Sequence, residues 1–72
     1  MHLTVNGKPR NVDATGGMDV MPLAALLAAF EVDPRLVAVA INGDVIPKGE
    51  FPVAYVREGD AVEIVRMVGG GA

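Results

Sequence analysis

Hydrophobic and polar residues alternate at the start of the chain in the pattern of a β-hairpin. Residues 3–5 read Leu-Thr-Val, with the period of two that is typical of a strand, and they lead into Asn6-Gly7. Asn-Gly favours a type I′ turn, because both central residues of that turn need a positive φ. We therefore predict a return strand at about residues 8–12. Pro9 cannot donate a ladder hydrogen bond, so this strand is expected at a sheet edge.

The hydrophobic period changes from two to 3.6 after a break at residues 15–17, and this change predicts an amphipathic helix at about residues 22–30. Pro22 fits the first turn, where its missing N–H breaks no helical hydrogen bond. The residue before a proline is disfavoured in a helix, so Asp33-Pro34 is expected to end the element. One apolar stripe along this helix contains Leu23, Leu26, Leu27 and Phe30.

The middle of the chain predicts a second hairpin. Residues 37–41 read Val-Ala-Val-Ala-Ile, a central strand with large side chains on one face and small ones on the other. The helix could pack on either face. The Asn-Gly pair at 42–43 predicts a tight turn, and the return strand at 45–46 stops at Pro47. Residues 48–55 show no regular period and are predicted to be irregular.

The last apolar run predicts a strand at residues 61–68 after a turn at 57–60. Its two faces carry Val62 and Ile64 on one side and Val65 and Met67 on the other. Together these elements predict an α+β domain with a mixed sheet of four to five strands, packed on one face by one helix. Val65 and Met67 would then lie on the open face, either as scattered surface hydrophobes or as a binding surface.

Composition limits the classes of function that this domain can have. The sequence has 72 residues, no cysteine and a net charge of −3, and its six Lys and Arg are dispersed. These features exclude a disulfide framework or a cysteine nucleophile, and they leave no basic stripe for nucleic acid. No apolar run approaches the roughly 18 residues of a membrane span. His2 has no second ligand at metal spacing. We expect a soluble cytoplasmic protein with no metal site.

The chain finishes with a run of glycines behind the apolar strand. We predict a single domain at residues 1–68 and a flexible tail at residues 69–72, because glycine is costly to order and adds nothing to a core. Four extended residues reach roughly 14 Å, enough to carry a carboxylate into another protein's active site. A glycine-rich end is equally compatible with an inert tail.

The order and spacing of these features resemble the ThiS/MoaD sulfur-carrier family, and most of all its thiamine-biosynthesis branch. The resemblance covers nearly the whole chain and rests on Asn6-Gly7, residues 23–27, residues 37–47, Glu58-Gly59-Asp60, residues 62–65 and the terminal glycines. It implies a ubiquitin-like β-grasp fold. It also implies that the protein carries a substrate group and is not itself an enzyme, so that no catalytic residue is expected.

The chemistry that the resemblance implies takes place at the tail, with Gly69, Gly70 and Gly71 as the expected site. In the family, a ThiF-like adenylating enzyme uses ATP and magnesium to convert the C-terminal carboxylate into an acyl adenylate. A persulfide from a cysteine desulfurase or rhodanese-type donor then leaves a thiocarboxylate, which supplies thiazole synthase. The carrier itself is expected to bind no cofactor. Val65, Arg66 and Met67 are the candidate partner contacts.

Two questions stay open at this stage. Family members typically finish at Gly-Gly, whereas Ala72 follows Gly71 here. The reactive carboxylate is therefore on Ala72 or on Gly71 after loss of Ala72, and we expect Gly71 because a side chain would crowd a slot shaped for glycine. The sulfur acceptor is also open, since related carriers serve molybdopterin synthesis, tRNA thiolation or cysteine synthesis. A ubiquitin-like protein modifier and a binding module with an inert tail are the alternatives from other classes.

Overall fold

The computed structural model describes residues 1–13 and 19–67. The predicted break at 15–17 and the predicted tail at 69–72 lie outside these ranges, so the domain limits remain a prediction. The strands of the described residues are β1 (His2–Val5), β2 (Lys8–Asn11), β3 (Val20–Pro22), β4 (Val37–Ile41), β5 (Asp44–Ile46), β6 (Tyr55–Arg57) and β7 (Ala61–Arg66). The α-helix α1 spans Leu23–Ala29, and 3-10 helices span Pro34–Leu36 and Lys48–Val53.

The main sheet has five strands in the order β2-β1-β7-β4-β5. Strands β1 and β7 are parallel, and the other neighbouring pairs are antiparallel. The sheet is therefore mixed, as predicted, and Pro9 lies in the edge strand β2. Residues 37–41 were predicted to form a central strand. They form β4, which is an interior strand with a neighbour on each side, but the middle strand of the five is β7.

Both Asn-Gly pairs form the predicted hairpin turns. Asn6 and Gly7 have φ values of 52° and 80°, and Asn42 and Gly43 have values of 51° and 86°. Each asparagine also hydrogen-bonds across the sheet to β7. The side-chain amide of Asn6 donates to the Ile64 carbonyl at 3.1 Å and accepts from the Ile64 N–H at 2.7 Å. The Asn42 side chain similarly accepts from the backbone N–H of Ala61 at 2.9 Å.

The helix begins one residue later and ends earlier than the sequence predicts. Pro22 belongs to β3 and serves as the N-cap, with ψ of 141°, so it is not part of the first turn. Asp33-Pro34 does not end the helix. Glu31, at φ 57°, reverses the chain first, with its N–H bonded to the Ala28 carbonyl and the Val32 N–H to the Leu27 carbonyl. This is a Schellman C-cap, formed without the usual glycine.

The prediction that residues 48–55 are irregular was wrong, because a 3-10 helix spans Lys48–Val53 and strand β6 of a second, two-stranded sheet begins at Tyr55. Strand β6 pairs antiparallel with β3, and Met21 lies opposite Val56. The two strands are too short to show a hydrophobic period in the sequence, and the 3-10 helix at Lys48–Val53 precedes β6. This small sheet and the 3-10 helix pack beside α1 and help to close the core.

The core lies between α1 and one face of the main sheet. Val37 and Val39 of β4 are 4% and 1% exposed, so the large side chains of this strand face the helix. The buried hydrophobic residues are Leu3, Val5, Met21, Leu23, Leu26, Leu27, Val37, Val39, Phe51, Val56 and Val62. None of the buried residues among those described is polar or charged. The opposite face of the sheet has no helix packed on it among the described residues.

Replacing Asn6 with glycine should destabilise the domain by about 1–2 kcal/mol, because two hydrogen bonds to Ile64 are lost. Glycine adopts the same positive φ without strain, so any loss of stability reports the missing hydrogen bonds and not a distorted turn. We expect the melting temperature to fall by about 4–8 °C per kcal/mol. Gly7→Asn is a control that perturbs the same turn without removing a bond to β7. An Asn6→Gly variant as stable as the wild type would show that these bonds add nothing.

Candidate functional site

The open face of the main sheet carries an apolar surface beside the end of β7. We call it the open face, defined by Ala38, Ala40, Val45, Glu63, Val65 and Met67. Val65 lies opposite Ala38, and Ala40 lies between Glu63 and Val45 in the pairing register. Val45, Val65 and Met67 are 74%, 60% and 47% exposed. A shallow depression of about 160 Å³ lies over the alanines of β4. A flat apolar surface with small residues at its middle suits contact with a partner protein.

The three predicted contact residues are not all on this surface. Val65 and Met67 share the open face, and the Met67 N–H extends the ladder by bonding to the Leu36 carbonyl at 2.8 Å. Arg66 lies between them in the sequence, so strand alternation directs its side chain to the other side of β7. Arg66 is exposed there. It can therefore contact a partner only from the flank of the open face.

Two apolar residues beside the predicted contacts were not singled out from the sequence. Val45 is exposed on β5, and Leu36, whose backbone bonds to Met67, is 44% exposed. Val45 could have been predicted from the sequence. The alanines of β4 indicate a sheet face without large side chains, and the hairpin places Val45 of β5 beside them. No sequence pattern links Leu36 to Met67, since their hydrogen bond joins residues far apart in the chain.

An ion pair precedes β4 close to this end of the sheet. The Asp33 carboxylate accepts hydrogen bonds from the Arg35 guanidinium at 2.8 and 3.1 Å and from the Arg35 backbone N–H at 2.9 Å. The side-chain bonds from Arg35, followed by the backbone bond, lower the pKa of Asp33 to about 2. Asp33 is therefore ionised at neutral pH and caps the short helix Pro34–Leu36. Lys48 donates to the Arg35 carbonyl at 2.7 Å.

His2 and Glu58 are in hydrogen-bond contact near the start of β7. The Glu58 carboxylate accepts from the His2 backbone N–H at 2.7 Å, and this bond is the main cause that lowers the pKa of Glu58. The imidazole Nδ1 lies 3.3 Å from the same carboxylate, and the histidine side chain is 78% exposed. His2 is thus a solvent-facing strand residue. Asp60 caps its turn by accepting a hydrogen bond from the Arg57 N–H at 2.8 Å.

A larger concave region lies at the other end of the sheet. This groove of about 490 Å³ runs between the end of β2 and the end of α1, where the Arg10 guanidinium lies 5.7 Å from the centre of the Phe30 ring. It adjoins Val12, whose N–H bonds to the Met1 carbonyl. Since β7 runs parallel to β1 and ends beyond it, the groove is remote from the residues that lead into Gly69.

Within residues 1–13 and 19–67, no three His, Cys, Asp or Glu residues are grouped so that they could hold a metal ion. The single α-helix described there is too short to cross a membrane. The predicted site residues Gly69, Gly70 and Gly71 lie outside these ranges, so their assignment stays a prediction.

One helix on one face of a mixed sheet, with the strand order β2-β1-β7-β4-β5, defines a small β-grasp domain. The family model described as "ThiS family" matches residues 3–71, and the chain belongs to the ThiS family.

Solved structures and curated relatives agree with this assignment. The chain is 42% identical to the crystal structure of the thiamine biosynthesis protein ThiS from Geobacter metallireducens, with a TM-score of 0.81, covering 99% of this chain and 100% of that one. It is 32% identical to the sulfur carrier protein ThiS of Bacillus subtilis over 96% of this chain and 98% of the relative. The fold is therefore the predicted ubiquitin-like β-grasp.

Other relatives are much longer proteins. The chain is 40% identical to a thiazole synthase of Paramagnetospirillum magneticum over its full length, but it spans only 21% of that protein. A thiazole synthase of Magnetococcus marinus is 32% identical over 99% of this chain and 20% of the relative. The chain thus spans about a fifth of the length of these two relatives.

Proposed function

We propose that this protein is a sulfur carrier for thiamine biosynthesis, which holds sulfur as a thiocarboxylate on Gly71 after loss of Ala72. Membership of the ThiS family is the observation that carries the proposal. The open face beside the end of β7 supports it, because an enzyme that acts on Gly69, Gly70 and Gly71 must dock next to Met67. The absence of cysteine from the sequence is consistent with sulfur carried on a backbone terminus.

The proposed reaction proceeds in three steps, each catalysed by other proteins. The Gly71 carboxylate attacks the α-phosphorus of ATP on a ThiF-like, magnesium-dependent enzyme, and pyrophosphate leaves. The terminal sulfur of a protein persulfide attacks the acyl carbon, and AMP leaves. A thiol then cleaves the S–S bond of the acyl disulfide, so that one sulfur stays on Gly71. The carrier supplies the acceptor group and the docking surface, and it contributes no catalytic side chain.

Thiazole synthase is the proposed acceptor of the sulfur. Two relatives with that name contain a region similar to this chain within a much longer polypeptide. A carrier covalently joined to the enzyme that it serves gains a high effective concentration at the active site. The open face is the surface of this domain on which we place the contact with such an enzyme.

A complementation experiment tests the pathway. A thiazole-requiring bacterial mutant that lacks its own carrier should grow without thiazole when it expresses this chain. The same chain shortened to residues 1–68 is the matched control and should not restore growth. Absence of growth with a well-expressed, folded chain would contradict the thiamine assignment and leave molybdopterin synthesis, tRNA thiolation and cysteine synthesis to be tested.

Docking on the open face predicts that Val65→Thr weakens binding to the adenylating enzyme about tenfold. Threonine keeps the β-branched shape, but a hydroxyl buried without a partner costs about 1–3 kcal/mol. Val53→Thr is the matched control, because Val53 is 70% exposed and lies in a 3-10 helix away from the open face. Titration calorimetry should separate the two variants, and equal affinities would exclude Val65 from the interface.

A further inference from the structure

Strand β7 has an unprotected edge beyond the point where β1 ends. The β1·β7 ladder reaches only the pair Val5–Val62. Two residues further along β7, no backbone strand among the described residues pairs with Ile64 on this side. The side-chain amide of Asn6 takes its place, because it bonds to both the N–H and the carbonyl of Ile64. Beyond Ile64, nothing among the described residues continues the ladder on this side. The other side of β7 remains paired with β4 as far as Arg66.

The hydrogen-bond pattern shows which backbone groups are available at this edge. In an antiparallel ladder, successive residues direct their N–H and C=O groups to opposite sides of the strand. Ile64 directs its groups towards Asn6, and Met67 directs its N–H towards Leu36 of the β4 side. Arg66 therefore presents its N–H and carbonyl on the same side as Ile64, where no described residue pairs with them.

The outer edges of the sheet are protected in ways that this edge is not. Edge strand β2 contains Pro9, and proline discourages the addition of a strand because it has no backbone N–H to donate. Edge strand β5 is three residues long and is followed at once by Pro47. The free edge at Arg66 has neither a proline nor a covering strand, and it directly adjoins the exposed apolar side chains of Val65 and Met67.

We infer that the adenylating enzyme adds an extended segment of its own backbone to the free edge of β7 at Arg66. This segment would pair with β7 on the side where the Asn6 side chain bonds to Ile64. This inference rests on the proposed function. Extended segments commonly bind by adding a strand to a free sheet edge, with backbone hydrogen bonds supplying the contacts. Because Asn6 blocks the position at Ile64, the added strand can begin only at Arg66 and must run alongside the residues that lead to Gly69. Its source is therefore a protein that takes up Gly69, Gly70 and Gly71, and the adenylating enzyme is the first of these in the proposed reaction.

The substitution Arg66→Pro tests this inference by removing one hydrogen-bond donor, the backbone N–H of residue 66. Proline removes the free N–H and leaves the β4 side intact, because Arg66 and Val37 form a pair without ladder hydrogen bonds. Proline is tolerated where the strand N–H faces outwards, and it favours the extended conformation that Val65 already has. Arg66→Ala is the matched control, since it removes the side chain and keeps the N–H.

We expect Arg66→Pro to lower kcat/KM for ATP-dependent adenylation about tenfold, and Arg66→Ala to lower it less than about threefold. Equal rates for the two variants would overturn the inference while leaving the proposed function intact. A wild-type chain that is never adenylated would overturn both.

Amide hydrogen exchange provides a second test that needs no variant, and it decides the matter if Arg66→Pro does not fold. The Arg66 amide should exchange rapidly in the free protein and at least about tenfold more slowly in the complex. The Ile64 amide, already bonded to Asn6, should be protected in both states. An Arg66 amide that exchanges as rapidly in the complex as in the free protein would overturn the inference.

Discussion

Removing residues 69–72 will abolish sulfur loading and leave the melting temperature within about 2–4 °C of that of the full chain. Loading is lost because the acceptor carboxylate and the chain that carries it into the partner's active site are both removed. Stability is kept because the described core extends no further along β7 than Val62 and the partly buried Ile64. A change of this size corresponds to about 0.5 kcal/mol.

A chain that stops at Gly71 is the matched control for this truncation. It lacks only Ala72 and should be loaded at least as fast as the full chain, because no peptidase is then needed. Adenylation assays and thermal melts of the three chains give the comparison. If the chain of residues 1–68 still acquires sulfur, the acceptor is not in the tail. If it complements the mutant without acquiring sulfur, the tail is inert and the protein is a binding module.

Replacing Leu26 with alanine will remove a large share of the domain's free energy of unfolding. Leu26 is fully buried on the helix face that packs against the sheet. Truncation of a buried leucine costs about 2–5 kcal/mol, and a domain of this size has only about 4–10 kcal/mol of stability in total. Urea denaturation followed by circular dichroism should show the loss.

Leu36→Ala is the control for leucine truncation, because Leu36 is 44% exposed and lies outside the core. It should cost less than about 1 kcal/mol. A Leu26→Ala variant with the stability of Leu36→Ala would mean that α1 does not pack as described. Leu26→Ala should still be loaded in proportion to its folded fraction, since this buried side chain takes no part in the proposed chemistry.

The sequence predicted those parts of the fold that local chemistry determines. The Asn-Gly pairs at 6–7 and 42–43 fixed two hairpins, because few residues other than glycine and asparagine accept positive φ readily. The leucine spacing located α1 and its buried face. The alternation in β7 correctly separated the buried Val62 from the exposed Val65.

Contacts between distant residues could not be predicted in the same way. The pairing of β3 with β6 joins two short strands, and the bonds from Asn6 to Ile64 join residues at opposite ends of the chain. The sequence placed the end of the helix too late, because the chain reverses at Glu31, which has a positive φ. A glycine at this position would have indicated the reversal, but glutamate does not. For the candidate site, the exposed Val65 and Met67 were predicted from the sequence. The free edge at Arg66 could not be predicted, because it depends on where β1 ends relative to β7.

The central claim is that Gly71 carries the sulfur, and intact-mass analysis with fragmentation tests it most directly. The protein is expressed in a native-like host or incubated with the adenylating enzyme, ATP, a persulfide donor and a thiol. We predict a species that ends at Gly71 and gains, only in the presence of ATP, the mass of one sulfur-for-oxygen exchange at that residue. A species that retains Ala72 and carries the sulfur, or a chain that never acquires sulfur, would contradict the claim.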